Sequence, residues 1–453
     1  MEITPTAETL TPRGCILIKR HGRVRVKVQR IRDRTVKHNE VQLSTRGHQR
    51  CTGRDKAHHC AYESGQRLKL QIIKSVELRW PYFGTQPNVN KIFLLVRAAD
   101  TKAATERFHN EVLGKELFRV VREKWGSNLN SLISEKVLAI PGDISCDNLG
   151  VKDPNLREEM WREIDVILNS AATTKFDERY DAALGINTLG ARHVVTFAKK
   201  CVKLKMLLHV STDFYKYRLI LENPFFMGET LNETSGLDIE GEVKLMGERL
   251  SKLRTEGATE DAITSAMKDL GINRARLYGW PNTYVFTKAM GEMLLGHLRE
   301  NLPLVIIRPT IITTTYKEPF PGWIEGFRTI DSIVISYAKG KLSCFLGNVK
   351  SILDAIPADM VVNLIFDAMV VHASQSSEII YHVGSSMRNP LKLLEIRDYS
   401  FRHFTKNPWI KEDGKPVKVG KVTMLSNMAS FHRYMAIHCL LPLKVCIRDH
   451  KFN

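Results

Sequence analysis

Five short apolar runs, separated by longer amphipathic stretches, dominate the middle of the chain. The runs are KIFLLVR (91–97), KVLAIPGDI (136–144), DVILNSAA (165–172), MLLHVST (206–212) and PLVIIRPT (303–310). They are rich in Val, Ile and Leu and have no polar face, as strands do when helices cover both sides of a sheet. We therefore predict five strands of a buried parallel sheet.

Helices are predicted between these strands, at 101–125, 177–200 and 283–300. Alternation of strand and helix is typical of α/β proteins with a parallel sheet. The predicted fold class is thus α/β, a doubly wound parallel sheet of the Rossmann-like kind. The alternation of strand and helix fades after Thr310. For residues 371–453 we predict a small, mainly helical C-terminal module.

The first 85 residues have a different character. A dinucleotide-binding sheet normally opens with a strand, a Gly-rich turn and a helix whose N-terminus holds the pyrophosphate. None of the glycines before residue 91 makes a G-x-x-G or G-x-G-x-x-G turn after a strand; they are Gly14, Gly22, Gly47, Gly53, Gly65 and Gly84. We therefore predict that the first strand and its Gly-rich turn are missing, and that the sheet begins near its second strand.

Charge is concentrated in the same segment. The chain has a formal net charge of +18, and residues 1–80 supply +11 of it, from 18 Lys and Arg against 7 Asp and Glu. A basic arm suits nucleic acid or anionic lipid, but a poorly structured extension without a partner is the interpretation we favour. Nucleic acid is not an expected partner.

Cysteine usage and hydropathy indicate an intracellular chain. The eight cysteines are scattered, no apolar run reaches 18 residues, and residues 1–30 lack a secretory signal. A group of histidines and cysteines lies between residues 48 and 60, but the gap from Cys51 to Cys60 fits no zinc spacing. We predict no metal site.

The strongest chemical signal is Tyr284-Val-Phe-Thr-Lys288. On a helix, positions i and i+4 share a face, so both side chains can reach one ligand. A lysine ammonium there is expected to lower the pKa of the tyrosine and make it a better proton donor. Alone the pattern is weak, because a solvent-exposed helix pair has the same spacing.

Hydroxyl groups end the fourth predicted strand, at Ser211 and Thr212. Ligands bind at the carboxyl ends of parallel strands, so these hydroxyls are candidates for hydrogen bonds to a substrate carbonyl. A turn-forming Ser-Thr pair is the alternative.

Other strand ends carry candidate cofactor ligands. Arg97 ends the first of the five runs, where an arginine suits the 2′-phosphate of NADP, although a solvent-facing strand end has the same pattern. Asp143 follows the next strand and is placed to meet the adenine. Asn169 and Ala171 end the third and line the expected cofactor path.

Several long segments, in this order, resemble the alcohol-forming fatty acyl-CoA reductases of plants, which are extended short-chain dehydrogenases. They are 169–201, 207–215 (LLHVSTDFY), 278–292 (YGWPNTYVFTKAMGE), 305–312 (VIIRPTII), 321–326 (PGWIEG) and 356–363 (IPADMVVN). The resemblance covers roughly residues 86–453.

The resemblance implies NADPH-dependent reduction of a long-chain fatty acyl-CoA to a primary fatty alcohol, with release of CoA. It implies catalytic roles for Ser211, Thr212, Tyr284 and Lys288. Lys288 is also expected at the cofactor, with Arg308 and Pro309.

The implied domains are a basic segment (1–85), an NADP-binding reductase domain that includes the substrate-binding part (86–370), and a truncated male-sterility C-terminal module (371–453). Residues 434–447 are largely apolar and suit either a membrane surface or a packed helix, which we favour. The endoplasmic reticulum surface and the plastid are both compatible with the resemblance.

Three departures from the family pattern are visible. The Gly-rich turn is absent, Asp213-Phe214-Tyr215-Lys216 stands where small residues and a glycine are usual, and the C-terminal module stops short. The onset of resemblance near residue 86 suggests that residues 1–85 arise from an altered reading frame or a wrong exon boundary. Two alternative functions therefore stay open: a related reductase or epimerase acting on another substrate, and an inactive remnant with a basic arm.

Overall fold

The structure is a computed structural model. It describes residues 89–213, 222–233, 236–326, 329–373 and 375–441, and the backbone alone of five strands before residue 89. The histidines and cysteines between residues 48 and 60, and Phe214, Tyr215 and Lys216, lie outside the described residues.

The strands are numbered in chain order. They are β1 (Glu8–Thr11), β2 (Cys15–Arg20), β3 (Arg23–Gln29), β4 (His38–Gln42), β5 (Leu68–Ile73), β6 (Val89–Val96), β7 (Val137–Pro141), β8 (Val166–Asn169), β9 (Met206–Val210), β10 (Leu304–Pro309), β11 (Ile311–Thr313), β12 (Cys344–Leu346), β13 (Ile352–Leu353), β14 (Ala355–Pro357), β15 (Glu378–Val383), β16 (Leu391–Lys392) and β17 (Thr423–Leu425).

The α-helices are numbered in the same way. They are α1 (Thr101–Phe108), α2 (Arg119–Trp125), α3 (Asn128–Lys136), α4 (Pro154–Glu163), α5 (Tyr180–Ala183), α6 (Gly190–Ala198), α7 (Ile239–Thr255), α8 (Glu260–Leu277), α9 (Thr283–Leu298), α10 (Thr329–Ala338), α11 (Ala358–His372), α12 (Leu393–Lys406) and α13 (Met428–Met435). Short 3-10 helices span Glu116–Phe118 and Asp147–Gly150, and π-helices span His109–Leu113, Leu184–Leu189 and Ala436–Leu440.

Seven strands form the main sheet, in the order β15-β10-β9-β8-β5-β6-β7. Every neighbouring pair in this sheet is parallel. Several of its strands contribute buried apolar side chains to the core, among them Phe93, Ile167, Leu207 and Ile306. The predicted fold class, a doubly wound α/β sheet, is confirmed, and all five predicted strands are present.

The predicted absence of the first strand is wrong. β5 lies between β6 and β8 and pairs in parallel with both, which is the place of the first strand in a dinucleotide-binding sheet. Its sequence, LKLQII, alternates apolar residues with Lys69 and Gln71. Such alternation is typical of a half-buried strand and not of one covered on both faces, so the pattern gave no clear signal.

The connection from β5 to β6 has an unusual sequence for a dinucleotide-binding sheet. Residues 74–88 include Pro81, Pro87 and one glycine, Gly84, so no Gly-rich turn follows β5. These residues lie outside the described part of the chain.

A separate antiparallel sheet joins the four N-terminal strands in the order β1-β2-β3-β4. Residues 22–34 alternate Val24, Val26 and Val28 with basic residues, which is a strand-like pattern, and β3 forms there. The favoured interpretation of this basic segment as a poorly structured extension does not extend to these four strands.

Two compact units divide the chain. The first comprises Met1–Pro309, Lys317–Pro319 and Asp359–Val383, and the second Thr310–Tyr316, Phe320–Ala358 and Gly384–Asn453. The predicted boundary at residue 370 does not coincide with this division. The reason is that β15, assigned by sequence to the C-terminal module, is the seventh strand of the main sheet through its pairing with β10.

The second unit contains helices α10, α12 and α13 with three two-stranded sheets, β11-β14, β12-β17 and β13-β16. The packed helix favoured for 434–447 is only partly found among the described residues. Helical structure reaches Leu440, but Ile437, Leu440 and Leu441 are about half exposed. Over the described residues, no helix combines the length and apolar character needed to cross a bilayer.

Helix α9 is buried over most of its circumference, from Thr283 to Leu295. It lies so close to the π-helix Leu184–Leu189 that a Cβ atom on Gly291 would stand 2.3 Å from the carbonyl oxygen of Asn187. A glycine at this position therefore sets the distance between the two elements.

We expect Gly291→Ala to lower the free energy of unfolding by about 1–3 kcal/mol, because the new methyl group meets main-chain atoms that cannot turn aside. Urea unfolding followed by circular dichroism measures this. Gly247→Ala is the matched control, since Gly247 lies in α7 with no atom near its Cβ position; there we expect a gain of about 0.5–1 kcal/mol. Equal effects of the two changes would contradict the close-contact argument.

A buried ion pair joins β10 to α9. Arg308 and Glu292 are each about 1% exposed at the side chain, and two nitrogens of the guanidinium donate to the carboxylate at 2.6 and 3.0 Å. Arg308 also donates to the carbonyl oxygen of Asn223 at 3.1 Å and to His382 Nε2 at 3.2 Å.

Removing one partner leaves a buried charge unpaired, so we expect Arg308→Met to cost about 3–5 kcal/mol of unfolding free energy. The double variant Arg308→Met, Glu292→Met should recover at least half of that loss, because neither charge remains. Chemical unfolding of the parent, both single variants and the double variant completes the cycle. Strict additivity would show that the pair contributes no coupling.

Candidate active site

Tyr284 lies in the first turn of α9, at the carboxyl edge of the main sheet. Asn282 caps the helix, and its side chain accepts a hydrogen bond from Val285 N at 2.9 Å. This cap starts the helix at Thr283 and so places Tyr284 and Lys288 on one face, one turn apart.

Lys288 is buried, with 1% of its surface exposed. Its Nζ donates to the carbonyl oxygen of Val210, the last residue of β9, at 2.8 Å and lies 3.1 Å from His209 Nε2. Burial lowers the pKa of Lys288 to about 8, and the charge of Glu292 opposes this shift. The side chain is therefore mostly an ammonium at pH 7, yet close to its titration midpoint.

Thr212 hydrogen-bonds to Tyr284, which brings the two predicted catalytic hydroxyls together. Burial raises the pKa of Tyr284, and the hydrogen bond from Thr212 counteracts part of that rise. The sequence prediction that Lys288 lowers this pKa is therefore wrong for this structure. Tyr284 remains protonated at neutral pH, as a proton donor must be.

Ser211 follows β9 directly and continues its pairing with β10. Its N–H donates to the Ile307 carbonyl at 2.7 Å, and Asp213 N donates to the Pro309 carbonyl at 2.9 Å. The Ser211 hydroxyl is buried and, among the described residues, has no hydrogen-bond partner. An unpartnered donor beside Thr212 is available for a substrate oxygen.

Asn169 ends β8 and contacts the lysine site through a histidine. Its Nδ2 lies 2.9 Å from His209 Nδ1, and its Oδ1 accepts from Ala171 N at 3.3 Å. The predicted cofactor residues Asn169 and Ala171 thus both lie at the end of β8. Asn169 is linked to Lys288 through His209.

Arg97 and Asp143, at the ends of β6 and β7, form an ion pair with Nε–Oδ2 of 2.9 Å. Asp143 also accepts from the Ser145 N–H and hydroxyl at 2.9 and 2.7 Å. The Arg97 side chain is 57% exposed, so part of its guanidinium is open to a second anion. Their strands, β6 and β7, are separated by β5 from β8 and β9, whose ends carry Asn169 and Ser211.

Arg308 is placed differently from the prediction, whereas Pro309 ends β10 and its carbonyl oxygen accepts from Asp213 N. The Arg308 side chain is held by Glu292, Asn223 and His382 inside the protein and does not present its guanidinium to the crevice. It contributes to structure, because its bonds to α9 and β15 hold both elements at the edge of β10.

Asp213, one of the departures from the family pattern, has a defined partner. Its Oδ1 lies 3.1 Å from His382 Nδ1. Because a guanidinium only donates, His382 Nε2 accepts from Arg308, and the ring proton on Nδ1 is donated to Asp213.

The sequence interpretation missed two residues of the site. His209 was taken as part of an apolar strand. The signal that the sequence offers is a polar residue within a run that is otherwise typical of a strand buried on both faces. Asn187 lies in the π-helix, where its amide bonds both Thr173 (N–H to Oδ1, 3.0 Å) and the Thr287 hydroxyl (Nδ2 to Oγ1, 3.0 Å). A π-turn inside a helix often marks a functional site, but the sequence gives no sign of it.

The described residues fit a nicotinamide cofactor at its two ends. The strand order reverses between β5 and β8, and ligands of doubly wound sheets bind at that crevice. The orphaned Ser211 hydroxyl and the buried Lys288 suit the nicotinamide end, and the exposed Arg97 suits the adenosine end. For the pyrophosphate, the sequence after β5 offers no Gly-rich turn.

A protein-family model described as Male sterility protein, an NAD-binding family, matches residues 83–365, more than half of the chain. The alcohol-forming fatty acyl-CoA reductase of Simmondsia chinensis is 55% identical over 366 residues, which cover 80% of this chain and 74% of that protein. The probable fatty acyl-CoA reductase 4 of Arabidopsis thaliana is 55% identical over 365 residues, with the same two coverages.

Among solved structures, the terminal R domain from the myxalamid PKS-NRPS biosynthetic pathway matches with a TM-score of 0.51 and 15% identity. The match covers 82% of this chain and 78% of that one. This likeness establishes the fold alone, whereas sequence identity above one half establishes the relationship. The chain therefore belongs to the plant-type fatty acyl-CoA reductases of the male sterility protein family.

Proposed function

We propose that this protein reduces long-chain fatty acyl-CoA to primary fatty alcohol, with NADPH as the reductant and free CoA as the second product. One observation carries the proposal: the hydrogen-bonded pair Thr212–Tyr284 stands at the carboxyl edge of a parallel sheet, with Lys288 buried one turn behind. The names of the similar Simmondsia and Arabidopsis proteins support the substrate class.

The chemistry requires two reductions. A thioester takes up two hydrides and two protons to become an alcohol and a thiol, with an aldehyde in between. NADPH, when bound, supplies the hydride for each reduction. The chain's own residues then have three tasks, which are to hold the carbonyl, to stabilise the negative charge on its oxygen and to protonate that oxygen.

Hydroxyl donors perform the first two tasks. Thr212 donates its one hydroxyl proton to Tyr284, which leaves the Tyr284 O–H and the buried Ser211 hydroxyl as two donors for the substrate oxygen. Donors fixed in advance stabilise a developing oxyanion because they need no reorganisation during the reaction. Tyr284, whose raised pKa keeps it protonated, then gives its proton to the oxygen.

Cofactor binding is assigned by position along the crevice. Asn169 and Ala171 end β8 beside the catalytic hydroxyls, and Lys288 is placed to grip the nicotinamide ribose. Arg97 is the candidate for the 2′-phosphate that distinguishes NADPH from NADH, and Asp143, which holds Arg97, is the candidate near the adenine.

Two other functions compete with this proposal. A related reductase or epimerase would share the Thr212–Tyr284–Lys288 geometry, and an inactive remnant would lack cofactor binding because of the missing Gly-rich turn. Lipid analysis separates the first from our proposal, and titration with NADPH separates the second.

We expect fatty alcohols when residues 1–453 are expressed in a host that makes none. Tyr284→Phe should reduce alcohol formation about 100-fold or more, because the proton donor is removed. Tyr278→Phe is the matched control, since this tyrosine, at the end of α8, has its hydroxyl bonded to Arg274 and Glu242 and not to the predicted catalytic residues. Gas chromatography of the lipids measures all three.

Soluble folded protein without alcohol, and without binding of NADPH, would establish the inactive remnant instead. NADPH binding without alcohol would favour a reductase for another substrate.

Arg97→Ser should raise the KM for NADPH about 10-fold, the loss of one charge-assisted contact to a phosphate, and leave the KM for NADH unchanged. Lys102→Ser removes a neighbouring exposed cation of α1 and serves as control. Steady-state kinetics with both cofactors measures the effect. An equal rise with NADH would assign Arg97 to structure and not to the 2′-phosphate.

A further inference from the structure

A buried histidine connects the end of β8 to the active-site lysine. His209 lies between Asn169 (Nδ2–Nδ1, 2.9 Å) and Lys288 (Nε2–Nζ, 3.1 Å), and all three residues are about 1% exposed. Because the ring is buried, its one or two protons must match these two neighbours.

Asn169 fixes which ring nitrogen carries the proton. Its Oδ1 accepts the main-chain N–H of Ala171, and a flipped amide would turn its NH₂ group against that N–H. The Asn169 Nδ2 group therefore faces His209 and donates. His209 Nδ1 must accept, so it carries no proton.

The ring is neutral, so its single proton lies on Nε2. Burial, reinforced by the charge of Lys288, holds the pKa of His209 well below its usual range. Its Nε2–H consequently points at Lys288 Nζ.

An ammonium group has no lone pair and cannot accept this hydrogen bond, whereas a neutral amine can. Nζ donates one of its own protons to the Val210 carbonyl in either state. Around Nζ, Tyr284 and Glu292 are the ionisable groups of its own helix. Glu292 is neutralised by Arg308 of β10. Behind Arg308, on β15 and after β9, lie His382 and Asp213. The histidine is thus the ionisable neighbour in direct contact.

We propose that His209, oriented by Asn169, is a positioning residue that stabilises the neutral amine of Lys288 and so shifts the balance between the charged and neutral forms of this lysine. The inference rests on the proposed function for its role in turnover, but not for the proton positions.

Nuclear magnetic resonance of the full chain labelled with ¹⁵N-histidine tests the proton positions without any substrate. We expect one non-titrating ring with protonated Nε2 and unprotonated Nδ1 between pH 6 and 9. Among the 15 histidines, His209→Gln identifies this ring by removing its signals. Asn169→Asp identifies it independently, because the carboxylate would move the proton to Nδ1. A ring with its proton on Nδ1, or one that titrates, would overturn the proposal.

The pH dependence of kcat/KM tests the role in turnover. In the parent, the charged form of Lys288 is the one that holds the cofactor ribose most strongly, so activity should fall as pH rises through about 8. Asn169→Asp makes Nε2 an acceptor, and His209→Gln offers Nζ a carbonyl oxygen. Both favour the ammonium and should move the falling limb upward by about one pH unit.

His193→Gln is the control, because His193 of α6 contacts the Ile144 carbonyl and not the lysine; its limb should stay in place. Loss of rate in His209→Gln and Asn169→Asp without any shift of the limb would reduce His209 to a structural residue and sink the proposal. If the parent makes no alcohol, the proposed function fails, while the resonance experiment still decides the position of the proton.

Discussion

The hydrogen bond from Lys288 to the carbonyl of Val210 determines how helix α9 lies on the main sheet. A buried lysine must satisfy its polar head within the protein, and a lysine with nothing to donate to costs several kcal/mol. Sliding α9 by one residue would break this bond, so the register of the helix along β9 is fixed. The register of α9 in turn determines which residues of the sheet its other polar side chains meet.

Tyr284, Lys288 and Glu292 are spaced four apart and form a line along one face of this largely apolar helix. Each meets a different partner on the sheet, namely Thr212 after β9, the β9 carbonyl, and Arg308 of β10. Gly291 permits the close approach to the π-helix that contains Asn187. Structure and chemistry therefore use the same face, since the contacts that hold the helix also hold the proton donor.

The two ends of the crevice contrast with its centre. Hydroxyls, a buried lysine and a strand-end amide gather at the end that we assign to the nicotinamide, and an exposed arginine stands at the other. Between them, β5 takes the place of the first strand, but the sequence that follows it carries no cluster of glycines. The family model thus matches residues 83–365, while the sequence after β5, where the pyrophosphate would be expected, differs from the family pattern.

Local pattern alone determined the parallel sheet, the Tyr284–Lys288 spacing and the hydroxyls after β9, because periodicity and strand ends are properties of short segments. Tertiary structure alone decided that β5 and β15 complete the sheet, since pairing between distant strands leaves little trace in either sequence. It also decided that Arg308 forms an ion pair with Glu292 and that His209 contacts Lys288. Burial and partners set the role of a polar side chain, and both come from residues about 16 to 79 positions away in the chain.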